Sequence, residues 1–216
     1  CFLALFQDAS FAGDLMDSKS TSGGLLALVG PKTFVTLAWR CKKQTAVSHS
    51  SAEAEVISLD AGVRMEGIPA LVLWDQTVEV LSPQATQKKK AMLPEKASGL
   101  LHPRTALEML ADIDDVPPTY PLSKGLVKLV VFEDNESVIK MIVKGRSPAL
   151  GHVPRTHRVD LDWLFERCQY DPAIMIRFVG TKDQMADMLT KGSFTALHGQ
   201  QQLKLWEIGP SSQVSH

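Results

Sequence analysis

The stretch Ser50-Ser51-Ala52-Glu53-Ala54-Glu55-Val56-Ile57-Ser58-Leu59 sets two carboxylates at the start of an apolar, helix-periodic run. A charged group beside a core is costly unless it is paired, hydrogen-bonded or bound to a cation. Ser50-x-x-Glu53 fits a capping box, which gives Glu53 a structural task at the helix start. Glu55 has no such task and reads either as a solvated helix residue or as an oxygen donor. Asp8 ends an apolar strand, Asp134 ends another, and Asp187 lies on a short helix. Taken singly, Asp8 is a turn former, Asp134 with Asn135 caps the next helix, and Asp187 is a surface residue. Taken together, carboxylates are the donors that hard divalent cations require. Phosphodiester hydrolysis needs an activated water and a stabilised leaving oxygen, and two such cations about 3.5–4 Å apart supply both.

Other chemistries find less support. His49, His152 and His157 show no metal-ligand spacing with cysteine, which argues against zinc. No Gly-rich phosphate loop is present, and Ser–His–Asp chemistry has no context. Lys42, Lys43, Arg155, His157 and Arg158 read either as phosphate grips or as solvated charges, with Lys43 and Arg155 the better candidates for phosphate. Asn135 either caps its own helix or reaches a 2′-hydroxyl, the group that marks RNA.

The elements that must position these groups follow from pattern. Cys1 to Asp8 is apolar on both faces, as in a central strand. A turn-rich stretch to Gly24 precedes strands at Leu25–Val29 and Phe34–Trp39, with Arg40–Gln44 as a basic exit. The capping box opens a helix along Ala52, Val56, Leu59 and Val63, which Gly67 and Pro69 weaken or kink. Residues 76–124, punctuated by prolines and the run Gln87-Lys88-Lys89-Lys90, read as an inserted, poorly ordered connection with one short helix near Thr105–Leu110. Leu126–Phe132 is a buried strand, followed by a helix with Val138, Met141 and Ile142 on one face and Gly145 as its stop. Arg146–Arg155 reads as a loop, Val159–Cys168 as a helix, Ala173–Val179 as a strand and Gln184–Thr190 as a short helix. A meander followed by alternating elements predicts an α/β fold, a mixed sheet with helices on both faces.

Composition bounds the rest. The chain has 216 residues, enough for one domain carrying a large insertion, and 44% are hydrophobic, enough for a core. Its formal net charge is -1, so no global basic field draws it to nucleic acid. Three scattered cysteines point to a reducing, intracellular setting rather than a disulfide framework. No apolar run approaches a membrane span. The chain opens on Cys1 rather than Met, as expected of a piece of a longer reading frame.

Five blocks in order carry a specific resemblance. They are Phe6-Gln7-Asp8-Ala9-Ser10-Phe11-Ala12-Gly13-Asp14 with Lys19-Ser20-Thr21-Ser22-Gly23; Lys42-Lys43-Gln44-Thr45-Ala46-Val47 with Ser50-Ser51-Ala52-Glu53-Ala54-Glu55; Glu133-Asp134-Asn135-Glu136-Ser137-Val138; Arg155-Thr156-His157-Arg158-Val159-Asp160; and Gln184-Met185-Ala186-Asp187-Met188-Leu189-Thr190-Lys191. The chain resembles the ribonuclease H domain of copia-type LTR retrotransposon polyproteins, from about Phe6 to Lys191 apart from the inserted segment. It departs from that pattern at Ser10, where a second Asp is usual, at Phe11 for Trp, at Ala52 for Thr, and at His157 and Arg158 for Lys and His.

The resemblance implies a ribonuclease H-like mixed five-stranded sheet, three antiparallel strands then parallel additions, over residues 1–192, followed by a tail at 193–216. It implies metal-dependent cleavage of the RNA strand of an RNA–DNA hybrid. By matching position, Asp8, Glu55, Asp134 and Asp187 would be the catalytic, metal-binding carboxylates, with Mg²⁺ as cofactor and Mn²⁺ as substitute. The partners implied are the hybrid and the reverse transcriptase region of the same polyprotein, in the cytoplasm or nucleus, including retrotransposon particles. The rival expectation is a divergent or domesticated remnant that binds nucleic acid or a protein partner without cutting.

Overall fold

Both faces of the first strand, β1 (Phe2–Ser10), are buried, so other layers must cover it on each side. The computed structural model describes residues 1–13, 16–82, 122–123, 125–145, 147–193 and 195–206. There β1 is the centre of a five-stranded sheet of order β3-β2-β1-β4-β5. β2 (Thr21–Gly30) and β3 (Thr33–Lys43) extend it antiparallel on one side. β4 (Leu129–Glu133) and β5 (Ile174–Phe178) extend it parallel on the other. The fold is therefore α/β with a mixed sheet, as the element order predicts.

Period-two alternation divides the core. Leu3 and Leu5 of β1, with Leu129 and Val131 of β4, pack under a helical layer on one face. That layer holds α1 (Ser51–Gly62), α2 (Ile68–Leu81), α3 (Glu136–Lys144) and α5 (Leu161–Tyr170). Ala4 and Phe6 face the other way, where Phe6 stacks on Phe132 at 4.7 Å beneath Met185, Ala186, Leu189 and Trp206. Among the described residues two helices serve that face, α6 (Asp187–Thr190) and α7 (Ala196–Leu205).

Several boundaries differ from the sequence reading, each for a local reason. β2 begins at Thr21, not Leu25. Its glycines are strand residues under crowding: a Cβ on Gly23 would lie 2.5 Å from Thr190, and one on Gly24 2.5 Å from the Gln7 amide. β3 runs on through the basic residues to Lys43, because an edge strand tolerates solvated charge. Gly67 and Pro69 interrupt the regular helix without ending it, in keeping with the weakening expected of them. A π-helical turn, Val63–Gly67, links α1 to α2 and lets Pro69 fall in the first turn of α2, where its missing N–H costs little. The helix then continues to Leu81, so residues 76–81 belong to it rather than to the insertion. The short helix expected near Thr105–Leu110 lies outside the described residues.

After Gly145, which ends α3 with φ 64° as its position suggests, the expected loop contains a short 3₁₀ turn (Pro148–Leu150) and α4 (Val153–His157). Residues 196–205, placed in the tail by sequence, form α7, and the Trp206 indole donates to the Met185 carbonyl at 2.9 Å. The cysteines are all free. Among the described residues no helix is long and apolar enough to cross a membrane.

Candidate metal centre

The pairing of β1 with β4 stops at Phe6 and Phe132, and the acids lie just beyond. Carboxyl ends of adjacent parallel strands are where α/β sheets open a crevice. Asp8 continues the alternation of Ala4 and Phe6 and so faces α6; Asp134 and Asp187 meet it there, with oxygens from all three within 4.8 Å of one another. Glu133 continues the alternation of Leu129 and Val131 and so faces α1. It meets Glu55, and oxygens of Glu55, Glu133 and Asp134 also lie within 4.8 Å. Asp134 belongs to both groups. The four residues singled out from the sequence thus converge, distant as they are along the chain.

The cluster is buried. Asp8 is 4% exposed, Glu55 6%, and Glu133 and Asp187 0%. Glu55 Oε2, Glu133 Oε2 and Asp187 Oδ1, although buried, have no hydrogen-bond partner among the described residues. Orphaned oxygens in a low-dielectric site carry a penalty unless a proton or cation joins them. Burial pushes the Asp8 carboxyl up to about 6, helped by the charges of Asp187 and Asp134 and opposed by the Thr190 hydroxyl and Lys191. Burial also raises Asp134. Glu55 and Glu133 are both driven well upward, by burial first and then by neighbouring carboxylates, so the pair holds a proton at neutral pH when no cation is near.

The chain supplies partial compensation. The Thr190 hydroxyl donates to Asp8 Oδ2, Thr181 Oγ1 donates to Asp134 Oδ2 at 3.1 Å, and the Asn135 N–H donates to Glu133 Oε1 at 3.1 Å. The Lys191 ammonium sits on Asp187 Oδ2, with His198 Nε2 3.5 Å from the same oxygen. A positive charge is thus already drawn to this site. The donor set fits hard cations: all oxygens, mostly carboxylate, with unsatisfied lone pairs facing inward. Asp8, Glu55, Asp134 and Asp187, with Glu133 beside them, would hold such ions.

The network beneath the cluster fixes β1. Ser58 Oγ donates to the Asp8 carbonyl at 2.9 Å, and the Gln184 amide donates to the Gln7 carbonyl at 2.8 Å. At the helix start, Ser50 Oγ accepts from Glu53 N at 3.1 Å, as the capping box predicts. Glu53 returns its carboxylate to the His49 N–H at 3.0 Å, one residue earlier than the box specifies.

The weaker candidates are placed elsewhere or otherwise engaged. Asn135 caps α3, its Oδ1 accepting from Ser137 N at 3.0 Å. Lys43 Nζ pairs with Asp17 at 3.1 Å on the edge strand. Arg155 is exposed on α4. Sequence reasoning did not assign Glu133, Thr190, Lys191 or His198 to the site. For Glu133 the signal was present: alternation from Leu129 and Val131 puts it on the face that receives Glu55. For His198 there was none, because its helix was not expected.

Compared with models of known families, with curated proteins and with solved structures, the chain gives no match to any of them.

Proposed function

We propose that this chain is a divalent-metal-dependent ribonuclease H-type endonuclease that hydrolyses the RNA strand of an RNA–DNA hybrid, as in retrotransposon reverse transcription. The observation that carries the reading is the convergence of Asp8, Glu55, Asp134 and Asp187 at the carboxyl ends of β1 and β4, with buried, partnerless oxygens among them. Its second support is the five ordered sequence blocks, which name the same four residues. Mg²⁺ is the cofactor of this reading, with Mn²⁺ able to replace it, and the reverse transcriptase region of a common polyprotein is the neighbour.

When bound, a pair of divalent cations supplies what the side chains lack: acidification of the attacking water and stabilisation of charge on the leaving 3′ oxygen. The chain's own part is to hold and orient. Asp8 lies on β1 and Asp134 directly follows the last residue of β4, and these strands are hydrogen-bonded as far as Phe6 and Phe132, so the sheet sets where both acids stand. Glu55 is held by α1 and Asp187 by α6, one from each face. Lys191 neutralises Asp187 in the metal-free protein and must yield that oxygen when a cation enters.

The test is cleavage of an end-labelled RNA–DNA hybrid with Mg²⁺, with Mn²⁺ and with chelator. The expected result is metal-dependent cutting of the RNA strand. Asp134→Asn should lower the rate by at least about a hundredfold, the scale of removing one preorganised charge-stabilising group, while its circular dichroism stays that of the parent. Full activity in that variant sinks the assignment. One observation favours a non-cutting reading: the Lys191 ammonium already occupies Asp187. Hybrid binding that is insensitive to metal, with no cleavage, would decide for it.

A further inference from the structure

A second cluster of ligating side chains lies on the other side of α1. Glu53 and Glu55 are two residues apart on a helix, which turns them about 200° from one another. Glu55 therefore points to the acidic centre, and Glu53, 1% exposed, points to a group of histidines. His152 Nε2 is 3.2 Å from Glu53 Oε2, His49 Nδ1 is 3.6 Å from the same oxygen, and His157 Nε2 is 3.1 Å from Oε1. The three histidines come from two segments about a hundred residues apart, Glu53 and His152 being separated by 99 positions. The His49 and His152 rings meet edge to face at 5.0 Å.

We propose that His49 Nδ1, Glu53 Oε2 and His152 Nε2 form a site for one borderline divalent cation of the zinc class, separate from the acidic centre. The spacing agrees. Around a tetrahedral zinc with bonds of about 2.0–2.2 Å, neighbouring donor atoms stand about 3.3–3.6 Å apart, and the two nitrogen-to-oxygen distances are 3.2 and 3.6 Å. All three donor atoms lie within 4.8 Å of one another. Imidazole with one carboxylate is a borderline donor set, unlike the all-oxygen centre nearby, so the two sites select different ions.

Hydrogen bonding alone leaves the His49 ring nitrogen beside Glu53 Oε2 but unbonded to it. A carboxylate oxygen accepts about two hydrogen bonds. The His49 N–H uses one, at 3.0 Å, and two ring nitrogens then crowd what is left. The His152 ring nitrogen, at 3.2 Å, can take the second, and the His49 ring nitrogen, at 3.6 Å, is left beside the oxygen without a hydrogen bond to it, a separation that a shared cation would bridge. A second feature points the same way. The His157 side chain is 2% exposed, its Nδ1 has no hydrogen-bond partner among the described residues, and its Nε2 is committed to Glu53 Oε1. That is how an outer imidazole fixes the orientation of a ligating carboxylate. The side chains of His49 and His152 remain 69% and 41% exposed, so the site has an entrance and room for a solvent ligand. Occupied, it would clamp α4 to the loop that launches α1.

The test reads zinc rather than cleavage, so it is decided separately from the nuclease proposal. Titrate the whole chain, in the Asp134→Asn background and in excess Mg²⁺, with Zn²⁺ by calorimetry and with Co²⁺ by visible absorption. The expected result is one Zn²⁺ per chain that Mg²⁺ does not displace, and Co²⁺ bands of tetrahedral intensity. His152→Ala and His49→Ala should each weaken Zn²⁺ binding by at least about tenfold, the lower end of what losing even an outer partner costs. His49→Ala carries the decision, because its ring is mostly in solvent and its removal spares the fold. Absence of a Mg²⁺-resistant zinc in the parent, or unchanged affinity in His49→Ala, overturns the site.

Discussion

At the scale of single residues, the acidic centre is a balance between like charges and the few groups that offset them, and each side can be tested. Glu133 is fully buried with one oxygen bonded to Asn135 N and the other unpartnered. Glu133→Gln keeps the first bond, removes a charge that raises Glu55, and gives the second position an N–H₂ that can donate to that neighbour. The metal-free variant should melt higher than the parent, by an amount on the order of 1 kcal/mol, and bind Mg²⁺ more weakly in calorimetry. A lower melting point would mean that Glu133 is held by contacts that burial and charge do not describe. Lys191 sits on the other side of the balance. Its ammonium holds Asp187 and pulls down the carboxyls of Asp8 and Asp134. Lys191→Met should cost the metal-free protein on the order of 1 kcal/mol, since its partner is buried although the lysine is half-exposed. The same change should make stabilisation by Mg²⁺ larger, because the ion no longer displaces a resident cation. Thermal melts with and without Mg²⁺ read both effects.

At the scale of elements, the site depends on how closely α1 lies against β1. Gly62 is where the helix crosses the strand: a Cβ there would fall 2.2 Å from the Gln7 amide nitrogen. Gln7 cannot swing away, because it is 0% exposed and its amide is also 2.5 Å from where a Cβ on Gly24 would stand. Gly62→Ala should therefore destabilise by about 1–3 kcal/mol, as overpacking does, and shift Glu55 away from the acids on β1 and β4. Urea unfolding would read the first and Mg²⁺ affinity the second; an unchanged midpoint would show that the helix can rise without loss. The sequence made much of this legible. Apolar patterning placed all five strands, and Ser50, Asn135 and Gly145 marked helix ends that the fold keeps. Glycines misled where their use was tight packing rather than turning, at Gly23 and Gly24. Local pattern cannot tell a residue that needs φ > 0 from one that has no room for a side chain. The four carboxylates were readable because ordered blocks tied each to a particular strand or helix. The histidines around Glu53 were not. Their spacing along the chain resembles no ligand motif, and only the packing of α4 against the start of α1 brings them together.

At the scale of the whole molecule, the cluster couples folding to both pH and metal. Asp8 has its carboxyl moved from 3.8 to about 6, and burial raises Asp134, Glu55 and Glu133 as well. A raised carboxyl keeps its proton in the folded state at a pH where the unfolded chain has released it. The native protein then binds more protons than the unfolded one, and stability falls as pH rises. The fall begins near the unfolded value of about 4. Asp8 adds to it until about pH 6, where its contribution is complete, and the more strongly raised Glu55 and Glu133 carry it on through neutrality. Metal-free protein in chelator should melt higher at pH 5 than at pH 8, with Asp8 alone worth on the order of 3 kcal/mol across its range. Glu53, whose carboxyl is held low by its hydrogen bonds although burial opposes this, acts below that window and does not reverse the trend. Divalent cations bind only the deprotonated donors, so Mg²⁺ competes with protons and should stabilise far more at pH 8 than at pH 5. With saturating Mg²⁺ the slope should flatten or invert. Calorimetric melts at the two pH values, in chelator and in Mg²⁺, make a square of four measurements. A metal-free melting point that rises with pH, or a Mg²⁺ effect equal at both, would mean that these acids do not share one buried, cation-hungry site.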